Sequence, residues 1–358
     1  MSRAYNFSAG PAALPDAVLE RAQAEFLEWG GERASVMEVS HRGKAFEAMA
    51  ARAEADLRSL LAVPEDYAVL FLQGGATQHF AQVPMNIAAG GRADFVLTGH
   101  WGVRAMAEAG KACAVRVAAS SEQGGFRDLP AGYDFDPGAA YVHMTPNETI
   151  HGVEFHAPPD TGDVPLVADM SSTLLSRPID VARYGIVYAC AQKNIGPSGL
   201  VVLLVRRDLL ARAPATLPDI FRYDRHAANG SMLNTPPTFA WYLAGLVFQW
   251  LQEQGGLAAM ARLNQAKAAR LYSAIDGSDG FYRNSVAGAA RSWMNVPFQL
   301  HDEGLDTAFL AGATAAGLVG LKGHRAVGGM RASLYNAMPM AGVEALVEFM
   351  AAFQREHG

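Results

Sequence analysis

An acid and a lysine each follow an apolar segment of strand type, and this pair is the strongest chemical signal in the sequence. Asp169 ends the run 165–169, and Lys193 lies just beyond the run 185–190. The carboxyl ends of strands in an open α/β sheet form the edge at which ligands bind. A lysine amine there can form a Schiff base with a pyridine aldehyde, and a carboxylate can keep the ring nitrogen protonated. The pair therefore predicts a pyridine-aldehyde cofactor, although a lysine in a surface loop would give the same pattern.

Lysine is scarce in this chain, which narrows the choice of the reactive amine. Lys111 and Lys267 lie in alanine-rich segments of helix type, and we expect both on solvated helix faces. Lys44 and Lys322 lie in basic clusters. Lys193 alone follows a buried type of strand and precedes a glycine-proline turn, so it is the predicted reactive lysine.

Two further features at the same predicted sheet edge suit a flat, phosphorylated ligand. The first strand ends at Gly74 and Gly75, after which Ala76 and Thr77 begin a helix. Glycines permit a tight turn, and the free N–H groups of a helix N-terminus bind phosphate. Trp101 follows another strand, and its indole can stack on a planar ring. Each feature has a plainer interpretation, namely a simple strand-to-helix turn and a core tryptophan.

Several basic side chains stand out because the chain is acidic overall. Arg331 lies in a predicted apolar strand, where a guanidinium needs an anionic partner that a substrate carboxylate would supply. The pairs His41–Arg42 and His324–Arg325 carry the donors that a phosphate dianion requires. Two solvated loops would also explain these pairs.

Composition and charge exclude several classes of function. The 358 residues carry a net charge of −6 and have an isoelectric point of about 5.9, which argues against nucleic acid or an anionic membrane as the main partner. His143, His151 and His156 lack metal-ligand spacing and no CxxC pair occurs, so no metal site is expected. Residues 1–6 lack the apolar core of a secretory signal, and the apolar run 238–251 is too short to span a bilayer. We therefore expect a cytoplasmic location.

Strand-like and helix-like segments alternate from residue 67 to residue 205, which is typical of a mostly parallel sheet covered by helices on both faces. Helices are also predicted outside that region, at residues 15–29, 44–61, 238–252 and 256–275. From about residue 250 onward, the predicted strands and helices no longer show the regular alternation of the preceding region. The sequence therefore predicts an α/β fold with a large domain at residues 16–249 and a smaller α+β domain that combines residues 250–358 with residues 1–15.

A series of motifs occurs in one order over nearly the full length of the chain. They are NFSAGP at 6–11, SVMEVSHRGK at 35–44, PNETIHG at 146–152, ADMSS at 168–172, QKNIGP at 192–197, KGHR at 322–325 and GGMRASLYN at 328–336. In these motifs the chain resembles the phosphoserine aminotransferase family, whose members are class-V, fold-type-I, pyridoxal-phosphate-dependent aminotransferases. The resemblance implies a fold-type-I architecture and pyridoxal 5'-phosphate as the cofactor.

The resemblance also implies a role for each candidate residue. Lys193 would carry the cofactor and move the proton, and Asp169 would pair with the ring nitrogen. The other implied cofactor contacts are Ala76, Thr77 and Gln192 at the phosphate, Trp101 on the ring, Thr149 near the ring hydroxyl, and Asn234 and Thr235 from the other subunit. The implied substrate contacts are Arg331 for the α-carboxylate and, for the phosphate, His41 and Arg42 of one subunit with His324 and Arg325 of the other. The resemblance thus implies a homodimer with active sites at the subunit interface.

The implied reaction is reversible amino transfer between glutamate and 3-phosphohydroxypyruvate, which gives O-phosphoserine and 2-oxoglutarate in serine biosynthesis. Whether 4-phosphohydroxythreonine of pyridoxine biosynthesis is also a substrate, as in some bacterial members, stays open at this point. The chain departs from some members at Ala9, where they carry serine, and at Ala76 and Thr77, where they carry glycine and arginine.

Two other functions deserve comparison with this one. A cysteine desulfurase or another lyase of the same fold would need a mobile, exposed cysteine, whereas Cys113 and Cys190 lie in or beside apolar runs and are expected to be core residues. A cofactor-binding regulator or scaffold would not need Arg331 or the two His–Arg pairs.

Overall fold

Residues 3–358 are described by a computed structural model, and strands alternate with helices through most of them. The strands are β1 (Tyr5–Asn6), β2 (Tyr67–Gly74), β3 (Arg92–Leu97), β4 (Ala114–Ser120), β5 (Tyr141–Met144), β6 (Asn147–Glu148), β7 (Val153–Glu154), β8 (Leu166–Asp169), β9 (Ile186–Cys190), β10 (Gly199–Arg206), β11 (Tyr282–Arg283), β12 (Asn295–Leu300), β13 (Leu318–Val319) and β14 (Met330–Ser333). The helices are α1 (Asp16–Ala24), α2 (Lys44–Leu61), α3 (Ala76–Ile87), α4 (His100–Ala109), α5 (Arg207–Leu210), α6 (Tyr223–Ala228), α7 (Thr238–Glu253), α8 (Gly256–Asp276), α9 (Asp306–Ala315) and α10 (Met340–His357).

The central sheet has seven strands in the order β2-β10-β9-β8-β5-β3-β4. Strand β10 runs antiparallel to both of its neighbours, and the remaining adjacent pairs are parallel. The residues of β8 and β9 are buried throughout, as expected for strands covered on both faces. The predicted α/β fold with a mostly parallel sheet is confirmed, and it brings the carboxyl ends of β2, β3, β5, β8 and β9 to one edge.

Helices cover the two faces of this sheet. On one face α2 and α7 pack against each other and against the sheet, and Trp241 of α7 stacks on Phe71 of β2 with ring centroids 4.6 Å apart. On the other face α3 and α4 contribute Phe80, Ile87 and Ala105 to a second apolar core. Among residues 3–358, no helix is both long and apolar enough to cross a membrane.

The C-terminal part contains a three-stranded antiparallel sheet in the order β11-β12-β14, which packs with α8, α9 and α10. Strand β1 pairs in parallel with β13, so the N-terminal segment joins this part and buries Phe7 there. Helix α8 packs on both α7 and α10. The boundaries at 16–249 and 250–358 with 1–15 stay a prediction, and residues 1 and 2 of the latter lie outside the described residues.

Two local expectations were wrong. The helix predicted at 15–29 ends at Ala24, because the N–H of Trp29 bonds to the carbonyl of Ala34 and the Trp29 ring packs edge-on against Tyr242. Cys113 is half-buried rather than a core residue, whereas Cys190 is buried as expected.

The larger error concerns Lys267, which is fully buried instead of lying on a solvated helix face. Its Nζ donates hydrogen bonds to the carbonyl oxygens of Leu334, Tyr335 and Met338 at 2.8, 2.8 and 2.9 Å. Burial lowers the pKa of Lys267 to about 7. The three carbonyls, which follow β14 in the chain, take the place of the water molecules that would surround an exposed lysine amine. The alanine-rich sequence around Lys267 gives no local sign of these acceptors.

Candidate active site

A cavity of about 270 Å³ lies at the carboxyl edge of the central sheet. Nine of the predicted site residues line it, namely Ala76, Thr77, Trp101, Thr149, Asp169, Gln192, Lys193, His324 and Arg331. They come from β8, β14, the starts of α3 and α4, and loops that are far apart in sequence. The fold therefore brings together most of the residues that the sequence singled out.

Lys193 lies in the turn that follows β9, and its neighbour Asn194 anchors that turn. Asn194 Nδ2 donates to the carbonyl of Ser172 at 3.1 Å, and its Oδ1 accepts from the N–H of Asn336 at 3.0 Å. Within residues 3–358, no group accepts a hydrogen bond from Lys193 Nζ. Burial alone lowers the pKa of Lys193, but nearby Tyr335, Cys190 and Asp169 more than offset this effect, so the net shift is upward. The turn that carries Lys193 is thus anchored, while no acceptor among the described residues engages its Nζ.

Asp169 ends β8 and is buried beside the cavity. Its Oδ1 accepts two hydrogen bonds from Ser171, one from the backbone N–H at 3.0 Å and one from the hydroxyl at 2.6 Å. The N–H of Cys190 in turn donates to Ser171 Oγ at 3.1 Å. Burial raises the pKa of Asp169, while Lys193 and the donors of Ser171 partly counteract that rise. No donor among the described residues reaches Oδ2, so this oxygen is left for a ligand.

Two consecutive residues, Glu148 in β6 and Thr149 directly after it, hold Trp101 in position. The N–H groups of Trp101 and Gly102 donate to the two carboxylate oxygens of Glu148 at 3.0 and 2.8 Å, which caps the start of α4. The indole Nε1–H donates to Thr149 Oγ1 at 3.0 Å. A Cβ at Gly99 would lie 2.6 Å from the Glu148 carboxylate, so this approach requires glycine. Burial raises the pKa of Glu148 to about 7, although the two N–H donors oppose the rise.

Helix α3 opens on the cavity without a side-chain cap at its N-cap residue, Gly75. The first N–H groups of a helix have no acceptor within the helix, and here they belong to Ala76 and Thr77. These N–H groups and the helix dipole favour an anion at this point.

Arg331 in β14 brings a guanidinium to the opposite side of the cavity. Its Nη1 donates to the carbonyl of Thr149 at 3.2 Å, and no carboxylate in residues 3–358 forms an ion pair with it. Burial lowers the pKa of Arg331, and Tyr335 partly offsets that shift. An unpaired, half-buried arginine of this kind suits a ligand carboxylate.

Five predicted residues do not line the cavity of their own chain. They are His41, Arg42, Asn234, Thr235 and Arg325. Gln73 Nε2 donates to the carbonyl of Thr235 at 2.7 Å, and both Asn234 and Thr235 are exposed. His41 is half-buried and Arg42 is exposed in the loop before α2.

The structure also reveals residues to which sequence reasoning gave no role. Ser171 donates two hydrogen bonds to Asp169, which lies two residues earlier in the chain. This short spacing is a local signal from which the contact could have been predicted. Glu148 caps a helix that begins 48 residues earlier in the chain, so no local pattern connects the two.

The donor set of the cavity fits pyridoxal phosphate. An amine and a carboxylate oxygen without partners, an uncapped helix start and an indole all border one space. Within residues 3–358, no three His, Cys, Asp or Glu side chains are grouped so that they could hold a metal ion.

Comparison with known proteins agrees with this geometry. The family model for aminotransferase class-V matches residues 4–346. The phosphoserine aminotransferase of Stenotrophomonas maltophilia (strain R551-3) is 62% identical over 361 residues, with 100% of both chains covered. The structure of the phosphoserine aminotransferase from Bacillus circulans subsp. alkalophilus superposes with a TM-score of 0.98 at 50% identity, covering 99% of each chain. That of the PLP-bound enzyme from Trichomonas vaginalis gives a TM-score of 0.92 at 42% identity, covering 98% of this chain and 100% of that chain.

The chain is thus a class-V aminotransferase, a fold-type-I enzyme of the pyridoxal-phosphate-dependent kind. Because its identity with the relatives is high over their full length, it belongs more specifically to the phosphoserine aminotransferase family.

Proposed function

We propose that this chain transfers the amino group of glutamate to 3-phosphohydroxypyruvate, giving 2-oxoglutarate and O-phosphoserine. One observation carries the proposal, which is that a single cavity joins Lys193 and Asp169 to the unpaired Arg331 and to His324. Membership of the phosphoserine aminotransferase family supports the same substrates.

Lys193 and Asp169 have distinct tasks in this proposal. Pyridoxal phosphate, when bound, supplies an aldehyde and a cationic ring that accepts the electron pair of the substrate Cα–H bond. Lys193 Nζ would hold the cofactor in the resting enzyme and, as a free amine, would take the proton from the substrate Cα. Asp169 Oδ2 holds the proton of the ring nitrogen, since Ser171 engages Oδ1.

The remaining cofactor contacts orient the ring and its phosphate. Trp101, which Glu148 and Thr149 hold in position, would lie against the ring. Ala76 and Thr77 offer N–H groups to the phosphate, beside Gln192, and thereby substitute for the positive charge that some relatives carry at residue 77. Thr149 also reaches toward the ring hydroxyl.

Substrate anions are bound by the basic side chains. Arg331 binds the α-carboxylate shared by both substrates. His324 and Arg325 bind the phosphate of one substrate and the side-chain carboxylate of the other, because guanidinium and imidazole donors serve either anion.

The proposed enzyme is a homodimer, in which His41, Arg42, Asn234 and Thr235 of one subunit complete the site of the other. These four residues lie away from the cavity of their own chain, which supports this arrangement. Large apolar side chains in the segment between α1 and α2, which also carries His41 and Arg42, are exposed, with Leu27 at 82%, Met37 at 47% and Phe26 at 46%. A cytoplasmic location and the division into two domains stay predictions.

Paired substrates test the proposed function. Amino transfer from glutamate is followed with 3-phosphohydroxypyruvate and with hydroxypyruvate, using the wild-type holoenzyme and the variant Arg325→Ala. The variant is expected to lose at least tenfold more kcat/KM on the phosphorylated acceptor than on the other, since about 1.4 kcal/mol of a charge-assisted contact is a factor of ten. Equal losses on both acceptors would refute the phosphate assignment. Transfer from O-phosphoserine and from 4-phosphohydroxythreonine, measured side by side, decides whether the second compound is also used.

The structure does not support the alternative function as a cysteine desulfurase or another lyase. Cys190 borders the cavity but is buried on a central strand, and Cys113 is half-buried, so neither is a mobile, exposed nucleophile. Sulfide release from cysteine would favour that alternative.

A further inference from the structure

His100 lies beside two residues that line the cavity, Trp101 and His324, and has no role in the proposed reaction. It is the first residue of α4 and precedes Trp101, whose ring it meets edge-on with centroids 5.3 Å apart. Its ring also lies 5.9 Å from that of His324, at an angle of 45°. Because His324 is a proposed phosphate ligand, the following inference rests on the proposed function.

The two imidazoles differ in their hydrogen bonds. The N–H of Ala326 donates to His324 Nδ1 at 3.2 Å, so Nδ1 carries a lone pair and the neutral ring has its proton on Nε2. Protonation of Nδ1 would break this bond, which favours His324 as a neutral N–H donor. His100 makes no side-chain hydrogen bond within residues 3–358, so it can gain a proton on either nitrogen without losing a contact.

Basic side chains, two arginines and two histidines, surround His100. Arg104 lies one turn further along α4, while His324 and Arg325 face it from the loop before β14 and His151 lies in the loop after β6. Within the part of the chain that the structure describes, neither Arg104 nor Arg325 forms an ion pair. The acid nearest to the start of α4, Glu148, is engaged by the N–H groups of Trp101 and Gly102.

Burial and these basic neighbours have a direct effect on the pKa of His100. Burial, followed by His324, Arg104 and Arg325, lowers the pKa of His100 below its usual range. In the proposed dimer, His41 and Arg42 of the partner subunit would add to the same positive field. Without a bound anion, His100 is therefore neutral at neutral pH.

We propose that His100 is a further ligand of the substrate phosphate and that it takes up a proton from solvent when a dianion binds there. A dianion among these cations reverses the local field, and the imidazolium then adds a charge-assisted hydrogen bond. A carboxylate with a single charge gains less from the same proton. His100 thus favours the phosphorylated substrate over glutamate at this subsite, increasingly as the pH falls from 8 toward the second pKa of the phosphate, at about 6.

Sulfate is a suitable probe, because it stays a dianion from pH 6 to pH 8. Its binding to the holoenzyme, in which the cofactor already fills its own phosphate site, is measured by calorimetry at several pH values. Two buffers of different ionisation enthalpy give the number of protons taken up. Competition against the phosphorylated oxo acid shows that the sulfate occupies the substrate site. The variants are His100→Gln and His100→Arg, and the control is His301→Gln, which removes an exposed histidine of the C-terminal part.

Wild type and the control are expected to bind sulfate about tenfold more tightly at pH 6 than at pH 8, with uptake of a fraction of a proton. In His100→Gln the change should shrink to less than about twofold, and in His100→Arg binding should be tight and nearly independent of pH. Retention of the wild-type pH dependence and proton uptake in His100→Gln would overturn the inference. Pyridoxal-phosphate absorbance verifies that each variant is folded and loaded. A wild-type enzyme that transfers no amino group to the phosphorylated acceptor would instead refute the proposed function.

Discussion

Both hydrogen bonds that Ser171 donates to Asp169 reach the same carboxylate oxygen, Oδ1, at 2.6 and 3.0 Å. Among the described residues no donor reaches the other oxygen, Oδ2, so the serine determines which oxygen would be free for the ring nitrogen of the proposed cofactor. The N–H of Cys190 on β9 orients the Ser171 hydroxyl in turn. The electron-accepting property of the site therefore depends on a chain of contacts between two neighbouring strands.

Ser171→Ala removes the shorter of these bonds and is expected to lower kcat about tenfold. The donors of Ser171 lower the pKa of Asp169, so their loss raises it, and the acid limb of the pH–rate profile should move to higher pH. Steady-state kinetics from pH 5 to pH 9 measure both effects. Ser176→Ala is the matched control, since that buried hydroxyl donates to the Thr173 carbonyl. An unshifted acid limb in Ser171→Ala would contradict the role of this bond.

Glu148→Gln tests the cap that holds Trp101. The carboxylate accepts two N–H groups, whereas an amide presents only one acceptor, and loss of a cap contact should weaken cofactor binding about three- to tenfold. Because the pKa of Glu148 is raised to about 7, the wild type should approach the variant as the pH falls below 7. Titration of apoenzyme with pyridoxal phosphate from pH 6 to pH 8.5 measures this, with the exposed Glu20→Gln as control. If the ratio of the affinities of wild type and Glu148→Gln stays constant with pH, the proposed titration is wrong.

Lys267→Met leaves the buried carbonyls of Leu334 and Met338 without a donor, since that of Tyr335 also accepts from the N–H of Met338. It should lower the melting temperature by several degrees, at about 1–3 kcal/mol per unpaired group. The pKa of Lys267 falls from 10.5 to about 7 on folding, so between these values the unfolded chain binds more protons than the folded one. Wild-type stability relative to the variant must then rise with pH.

The gap in melting temperature between the wild-type holoenzyme and Lys267→Met should accordingly widen from pH 7 to pH 9. Lys111→Met, which changes an exposed lysine paired only with Glu108, should stay close to wild type throughout. A gap that does not change with pH would mean that the three carbonyls keep Lys267 charged in the folded protein.

Mixing two inactive variants tests whether sites are shared between subunits. In a homodimer, Lys193→Ala inactivates both sites, and so does Arg42→Ala. A dimer with one subunit of each variant has one intact site, which combines Lys193 of one subunit with Arg42 of the other. Random reassortment should restore about a quarter of the wild-type sites. Unfolding and refolding the two variants together, followed by assay, measures this recovery. Activity no greater than the sum of the separate variants would exclude the shared site.

The sequence predicted the parts of the structure in which chemistry and local pattern coincide. Asp169 and Lys193 follow continuous apolar strands, and such strands in a covered sheet end at one edge. Arg331 was recognisable because a guanidinium in an apolar strand needs an anion. The order of the strands and the reversed direction of β10 depend on tertiary packing and have no local signal.

The contacts that support these residues were not predictable in the same way. Lys267 looks like a surface lysine because its three acceptors lie about 70 residues away along the chain. Glu148 lies within a recognisable motif, but only the folded chain shows that it caps α4. The role proposed for His100 depends on its contact with His324, which lies far away in the sequence.

The most direct test of the account is the identity of the residue bonded to the cofactor. Holoenzyme is reduced with borohydride, digested and mapped by mass spectrometry, alongside Lys193→Ala loaded in the same way. We predict a single pyridoxyl-phosphate tag at Lys193, together with loss of the visible absorbance, and no tag in the variant. A tag on any other lysine, or an untagged peptide containing Lys193 from a fully loaded and reduced sample, would contradict the account.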